Sequence, residues 1–391
     1  MEIIKSVEKK FKELFNTEPL MVRSPGRVNL IGEHTDYNNG FVLPAAIDKA
    51  VYFAVAPRED DRCSLFAVDL DDYFEFTVSK PEFSNKIWPN YLMGVVDQLN
   101  KSGYKISGFN CVFGGDIPIG AGLSSSAAIE AGLAFSLDHI YNLNIDKLTL
   151  VKLSQKAENE FVGVKCGIMD QFINIFGKKG NVLQIDCESL NYKYYPFDFE
   201  NVSIVLFDTC VSHSLASSEY NQRRKECSIG VEVIKKNYPE VRSLRNVSVK
   251  LINEYKTRLD PVVFKRCKYA VEENERLLNA CISLTKGDLR EFGKFMNETH
   301  DGLSNDYEVS CEELDYLVSL TKDNENVYGS RMMGGGFGGC TINLVENNAV
   351  DSVSELVKKE YAEKFGFEPK VYCSKISNGT EIIKEKTFAT K

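Results

Sequence analysis

The chain has 391 residues, of which 43% are hydrophobic and 26% charged, with a formal net charge of −9. Such a length suits two domains of about 100–200 residues each, and no run of eighteen apolar residues is present to span a bilayer. The acidic balance argues against a general nucleic-acid surface, while eleven cysteines without a Cys-x-x-Cys pair, beside four histidines, predict reduced thiols in a cytoplasmic protein rather than structural zinc.

In chain order, Ile3, Val7, Phe11 and Leu14 share one face of a predicted amphipathic helix that is interrupted by acids and unlike an export signal. After a Pro-Gly break, a short apolar piece runs into Arg27-Val28-Asn29-Leu30-Ile31-Gly32-Glu33-His34-Thr35-Asp36-Tyr37, with a turn signal at Asn38-Asn39-Gly40. Ionised Glu33 and Asp36 can only accept hydrogen bonds, which suits sugar hydroxyls, and Arg27 is a permanent fork suited to phosphate. A capped turn with a local ion pair is the alternative. Strand-like runs follow at Phe41–Leu43, Lys49–Ala56 and Cys63–Val68. Trp88 and Tyr91 open a helical segment reaching Leu99 and could pack in the core or flank a base.

The stretch Pro118–Ala128 reads Pro-Ile-Gly-Ala-Gly-Leu-Ser-Ser-Ser-Ala-Ala, and Ile129, Leu133, Leu137 and Ile140 then recur at helical spacing. A loop delivering amides to a phosphate at a helix N-terminus fits this pattern, and so does a Gly/Ser linker. It lacks the lysine of the Walker loop and the third glycine of the dinucleotide fingerprint. Asp146 looks like the N-cap of a second helix that carries Glu158. In Gly163–Phe172, Asp170 falls within an apolar, Gly-flanked segment, where a carboxylate is either paired structurally or retained for chemistry. A new pattern starts near Asn201, with a strand at Val202–Phe207, a polar segment Ser212–Tyr220 that includes His213, and the basic turn Arg223-Arg224-Lys225. We therefore divide the chain at 1–200 and 201–391. Helical stretches fill Asp260–Tyr316, where Glu272, Glu273, Glu275 and Arg276 are expected to be solvated faces without chemistry. Five glycines within Gly334–Gly339 precede a strand at Thr341–Val345 and suit close backbone approach, a lid or a flexible hairpin.

Taken together, Gly26–Tyr37, the Gly120–Ser126 loop and Gly334–Gly339 resemble the GHMP small-molecule kinase superfamily, and the first motif resembles the signature of its galactokinase family. The resemblance implies an α+β fold with an N-terminal α/β domain, a C-terminal ferredoxin-like α+β domain and the active site between them. It implies ATP-dependent transfer of a γ-phosphate to the anomeric hydroxyl of galactose, the first committed step of galactose catabolism. Gly120, Ala121, Gly122, Leu123, Ser124, Ser125 and Ser126 would wrap the ATP phosphates, with Ser126 and Glu158 on Mg²⁺ and Trp88 and Tyr91 at the adenine. Glu33, His34, Thr35, Asp36, Gly167, Asp170 and Tyr220 would line the sugar pocket, Asp170 acting as base and Arg27 holding its charge. The small molecules galactose and ATP would be its partners, without nucleic acid or membrane, and the protein would be a monomer. Rival implications are a catalytically silent galactose- and ATP-binding regulator of transcription, or a kinase for N-acetylgalactosamine or arabinose. Intact Ser125, Ser126, Ala127 and Asp170 argue against the first, and Thr35 against N-acetylgalactosamine.

Overall fold

The computed structural model describes residues 2–118, 120–212 and 216–384, with 212 and 216–218 described by backbone alone. Ile119 and His213 of the motifs above lie outside the described residues. The first half runs α1 (Glu2–Phe15), β1 (Leu20–Asn29), β2 (Phe41–Val42), β3 (Pro44–Pro57), β4 (Arg62–Ala67), β5 (Asp72–Thr77), α2 (Ile87–Lys101), β6 (Phe109–Gly115), α3 (Ser125–Tyr141), α4 (Lys147–Lys156), α5 (Met169–Phe176), β7 (Asn181–Asp186) and β8 (Tyr192–Pro196). The second runs β9 (Val202–Ser212), α6 (Ala216–Lys235), α7 (Val249–Glu254), α8 (Pro261–Thr285), α9 (Leu289–Asn305), α10 (Glu312–Thr321), β10 (Val327–Met332), β11 (Gly338–Glu346), α11 (Val350–Phe365), β12 (Lys370–Ser374) and β13 (Glu381–Lys384).

Val7 and Phe11 of α1 cover one face of the first sheet, packing with Met21, Tyr52, Ala54 and Val112, while Leu14 stays 41% exposed, so the apolar stripe is shorter than its spacing suggested. On the opposite face, Leu92 and Val96 of α2 and Leu133 and Leu137 of α3 pack with Phe53 and Val55. The six strands lie in the order β13-β1-β3-β6-β4-β5, and β13 returns from the far end of the chain to pair with β1. A smaller antiparallel sheet, β2-β7-β8, flanks it.

The second half builds a four-stranded antiparallel sheet, β10-β11-β9-β12. Counted within this half, the strand order is 4-1-3-2, the split arrangement of a ferredoxin-like domain. Val205 and Phe207 pack under α10 and α11, while Leu206, Ile342 and Leu344 join the main core of the first half. That shared core seats the two halves against each other, and the sugar-type motif lies at the seam.

Two local features aim residues at that seam. The β1–β3 register slips between Pro25 and Arg27, a bulge that redirects the strand just where Arg27 leaves it. The chain also departs from α-helical geometry after α4, in a π-helical turn at Ala157–Val162 that carries Glu158. Asp146 caps α4 as expected, accepting from the Thr149 amide at 3.0 Å.

Candidate active site

A cavity of about 150 Å³ lies between the halves, lined by Arg27, Gly32, Glu33, His34, Asp36 and Tyr37 from the first motif, Cys166, Gly167, Met169 and Asp170 from the α5 entry, Tyr220 from α6, and Gly334 and Gly335. Most of the expected sugar-site residues therefore converge. Asp170, at the first turn of α5, accepts from both sides of the Arg27 fork: Nε to Oδ1 at 2.7 Å and Nη2 to Oδ2 at 2.9 Å. Arg27 also donates through Nη1 to the Gly122 carbonyl, and Ser124 donates its hydroxyl to Asp170 Oδ2. Asp170 keeps 23% of its side chain exposed against 9% for Arg27, so the carboxylate faces the cavity and the guanidinium sits behind it.

The neighbouring loop reaches this pair through left-handed backbone. Gly120 and Gly122 have φ of +81° and +71°, and Ser124 adopts φ +58° immediately before α3 begins. Ser125 and Ser126 form the first turn of α3, whose leading amides have no helical acceptor. The loop is fastened to β1 by the Arg27 amide, which donates to the Leu123 carbonyl at 3.1 Å. The bond from Ser124 to Asp170 is one that its sequence position did not announce.

Burial sets the charge of the pocket. It pushes Asp36 up to about 6, with the nearby negative charge of Asp170 adding to the rise, and it drives His34 down to about 4 against the opposing pull of Glu33. His34 is accordingly neutral at pH 7. Glu33 is nearly buried and accepts from Arg331 Nη1 at 2.9 Å, so this carboxylate ties the motif to β10. Thr35 departs from expectation: it is fully buried and does not reach the cavity, because its hydroxyl donates to the Gly32 and Phe41 carbonyls at 2.9 and 2.5 Å. It folds the loop that presents its neighbours.

Gly167 has a steric role. A Cβ there would lie 1.7 Å from Asp36 Oδ2 and 2.4 Å from its Cγ, so only glycine lets Asp36 keep its position. Gly167→Ala is expected to raise the KM of the substrate held in this cavity at least tenfold, about 1.4 kcal/mol of binding, without unfolding the chain. Steady-state kinetics beside a thermal melt checks this, and an unchanged KM would show that Asp36 is not needed in that place.

Beyond the cavity, Glu158 accepts from Gln171 Nε2 at 2.8 Å and from Cys166 Sγ at 3.3 Å, with Ser126 beside it. Burial raises its pKa. Glu130 of α3 is fully buried beside it, and burial followed by repulsion from Glu158 drives Glu130 well above the usual carboxylate range. Glu130 was missed in the sequence, although a lone acid in the apolar run Ala127–Leu137 was a visible signal. Trp88 donates Nε1 to Asp72 Oδ2 at 2.9 Å and packs with Phe74 and Phe113, so the structure gives it core and strand-edge partners. Tyr91, one turn on, is half-buried and lies near the Glu158 and Glu130 carboxyl groups.

Glu273 corrects the expectation of a solvated helix face. It is fully buried, accepts from the Gly32 amide at 2.8 Å and from Thr299 Oγ1, and pairs with Arg276. A helix of the second half thereby anchors the motif loop of the first.

A sugar-type cavity joined by an Arg–Asp pair to a phosphate-type loop, in this two-domain fold, defines a small-molecule kinase of the GHMP class. Residues 90–178 match the GHMP kinases N terminal domain, 278–363 the GHMP kinases C terminal, and 9–57 the galactokinase galactose-binding signature. The galactokinase of Clostridium acetobutylicum is 43% identical over 389 residues, which cover 98% of this chain and 100% of that one. The galactokinase of Roseiflexus sp. is 41% identical over 374 residues, covering 95% of each. The crystal structure of Lactococcus lactis galactokinase complexed with galactose superposes with a TM-score of 0.93 at 35% identity, covering 97% of this chain and 100% of that one. A mevalonate kinase structure, at 20% identity and a TM-score of 0.63, shares the fold alone. The chain belongs to the galactokinase family.

Proposed function

We propose that this protein transfers the γ-phosphoryl group of ATP to the anomeric hydroxyl of galactose, giving galactose 1-phosphate and ADP. The observation that carries the reading is the Arg27–Asp170 pair, which is bonded to the Gly120–Ser126 loop through Gly122 and Ser124 while Asp170 opens into the sugar cavity.

The hydrogen-bond inventory supports a base at Asp170. An ionised carboxylate offers about four lone-pair positions, and Arg27 and Ser124 occupy three, so one remains for the attacking hydroxyl. Asp170 takes that proton as the oxygen attacks phosphorus in line, and Arg27 holds the carboxylate in its reactive orientation. Arg27 has five N–H donors and spends three here, leaving two for the charge that develops on the phosphoryl oxygens. Ionised Asp36 accepts from the sugar hydroxyls and so fixes which hydroxyl meets Asp170.

Mg²⁺ fits the oxygen donors of Ser126 and Glu158, since Glu158 is a buried carboxylate crowded by Glu130 and Asp170 whose bonds among the described residues come from Gln171 and Cys166, neither of them a cation. Such an ion would take its remaining ligands from the nucleotide and from water. When bound, it neutralises phosphate charge. No helix among the described residues is long and apolar enough to cross a membrane.

A coupled ADP-release assay with Mg-ATP tests the reading, using galactose, glucose, N-acetylgalactosamine, arabinose, mevalonate and a no-acceptor control. ADP release with galactose alone is the expected result. Silence across the panel, with galactose and ATP both binding by calorimetry, would replace the kinase by a sugar- and nucleotide-binding protein.

A further inference from the structure

Behind the sugar cavity a line of hydroxyl and thiol groups runs inward from His34. Its Nδ1 lies 2.7 Å from the Tyr37 hydroxyl, which lies 2.8 Å from the Tyr307 hydroxyl, which in turn lies 3.3 Å from Cys227 Sγ. Tyr307, from the connection between α9 and α10, is fully buried, and so is Cys227 of α6. Among the described residues the other ring nitrogen, Nε2, is buried without a hydrogen-bond partner, in a residue that lines the cavity next to the Gly335 backbone.

A neutral imidazole carries one N–H and one bare nitrogen, and the bond at one decides the chemistry of the other. The line can run in two directions. In one, each phenol points toward His34 and Tyr37 donates to a bare Nδ1, the strongest acceptor present. In the other, His34 donates outward and the last O–H must end on the Cys227 sulfur, a weak acceptor. The first direction is the better bonded, and it leaves the proton on Nε2.

We propose that Tyr307 and Tyr37 hold His34 as its Nε2–H tautomer, so that in a pocket of acceptor carboxylates the ring supplies the donor to a hydroxyl oxygen of the bound sugar. Tyr307 is then a positioning residue that lies outside the cavity lining. The proposal rests on the reading of this cavity as the sugar site.

The test uses the full chain labelled with ¹⁵N-histidine, in long-range ¹H–¹⁵N correlation spectra at pH 7 without sugar. Four histidines are present, and the His34 signals are those lost in His34→Gln. A protonated Nε2 with a bare Nδ1 is the expected pattern, and a protonated Nδ1 would overturn the proposal. Tyr307→Phe is expected to mix the two tautomers and to raise the galactose KM roughly 5- to 10-fold, the loss of a hydrogen bond worth about 1 kcal/mol, while kcat and the ATP KM stay within about twofold. Unchanged His34 signals together with an unchanged KM would remove Tyr307 from the role. Should Tyr307→Phe fail to fold, the spectrum of the unmodified protein decides alone. Because that spectrum is recorded without sugar, absence of turnover on galactose would sink the proposed function and leave the tautomer assignment standing.

Discussion

Asp170→Asn is expected to lower kcat by ~10²–10⁴-fold, the usual contribution of a positioned base, while ATP binding measured by calorimetry stays close to that of the unmodified protein. Asparagine keeps the shape of the side chain and one oxygen for Arg27, so the loss reports on proton acceptance and charge rather than on packing. Its amide nitrogen would face either Arg27 Nε, in the place of Oδ1, or Arg27 Nη2 and the Ser124 hydroxyl together, in the place of Oδ2, all of which donate to the present carboxylate, and a repulsive contact results on one side. Some loss of galactose affinity is therefore expected beside the loss of turnover. A kcat near the normal value would remove Asp170 from the role of base and leave it as a binding residue.

Arg331→Met is expected to cost about 3–5 kcal/mol of stability, the range for breaking a buried ion pair by removing one partner. Arg331 is 0% exposed; its guanidinium donates to Glu33 at 2.9 Å, to the Leu30 and Met332 carbonyls at 2.9 and 2.6 Å, and to the Asn29 carbonyl at 2.5 Å. Methionine fills much of the volume and satisfies none of these acceptors. The stranded Glu33 carboxylate is the costliest remnant, so adding Glu33→Gln should recover part of the loss in urea denaturation. A double variant no more stable than Arg331→Met would show that the carbonyls, not the buried charge, set the cost. Galactose KM should rise in the single variant as well, because the same arginine holds the strand end from which the cavity residues project.

The parts of the site that were legible in the chain are those made by neighbours in sequence. Glu33, His34 and Asp36 stand within four residues, so one turn delivers all three to one cavity. Glycines at 120 and 122 and the serines after them announce a loop that enters left-handed backbone and then a helix. Thr35 misled because the same spacing that brings its neighbours into the cavity turns its own hydroxyl back onto the loop backbone. Glu273 and Arg276 misled because a charged stretch on a long helix is usually solvated, and nothing nearby in sequence told that the Gly32 amide would meet it.

By itself the sequence determined the family, through the resemblance of its three motifs, and with that resemblance the two-part α+β architecture; it also determined the loop chemistry and the acidic, hydroxyl-seeking character of the first motif, which depend on residue types within a few positions of one another. Only the tertiary structure decided that Arg27 and Asp170, 143 positions apart, form one bidentate pair with Ser124 of the loop on its flank. It also decided that Arg331 and Glu273 of the second half anchor the motif of the first, and that Tyr307 stands behind His34. Those pairings come from burying the two halves against one common core. Burial makes each unpaired polar group costly, and it is the packing of distant segments, not their local pattern, that selects which partner relieves it.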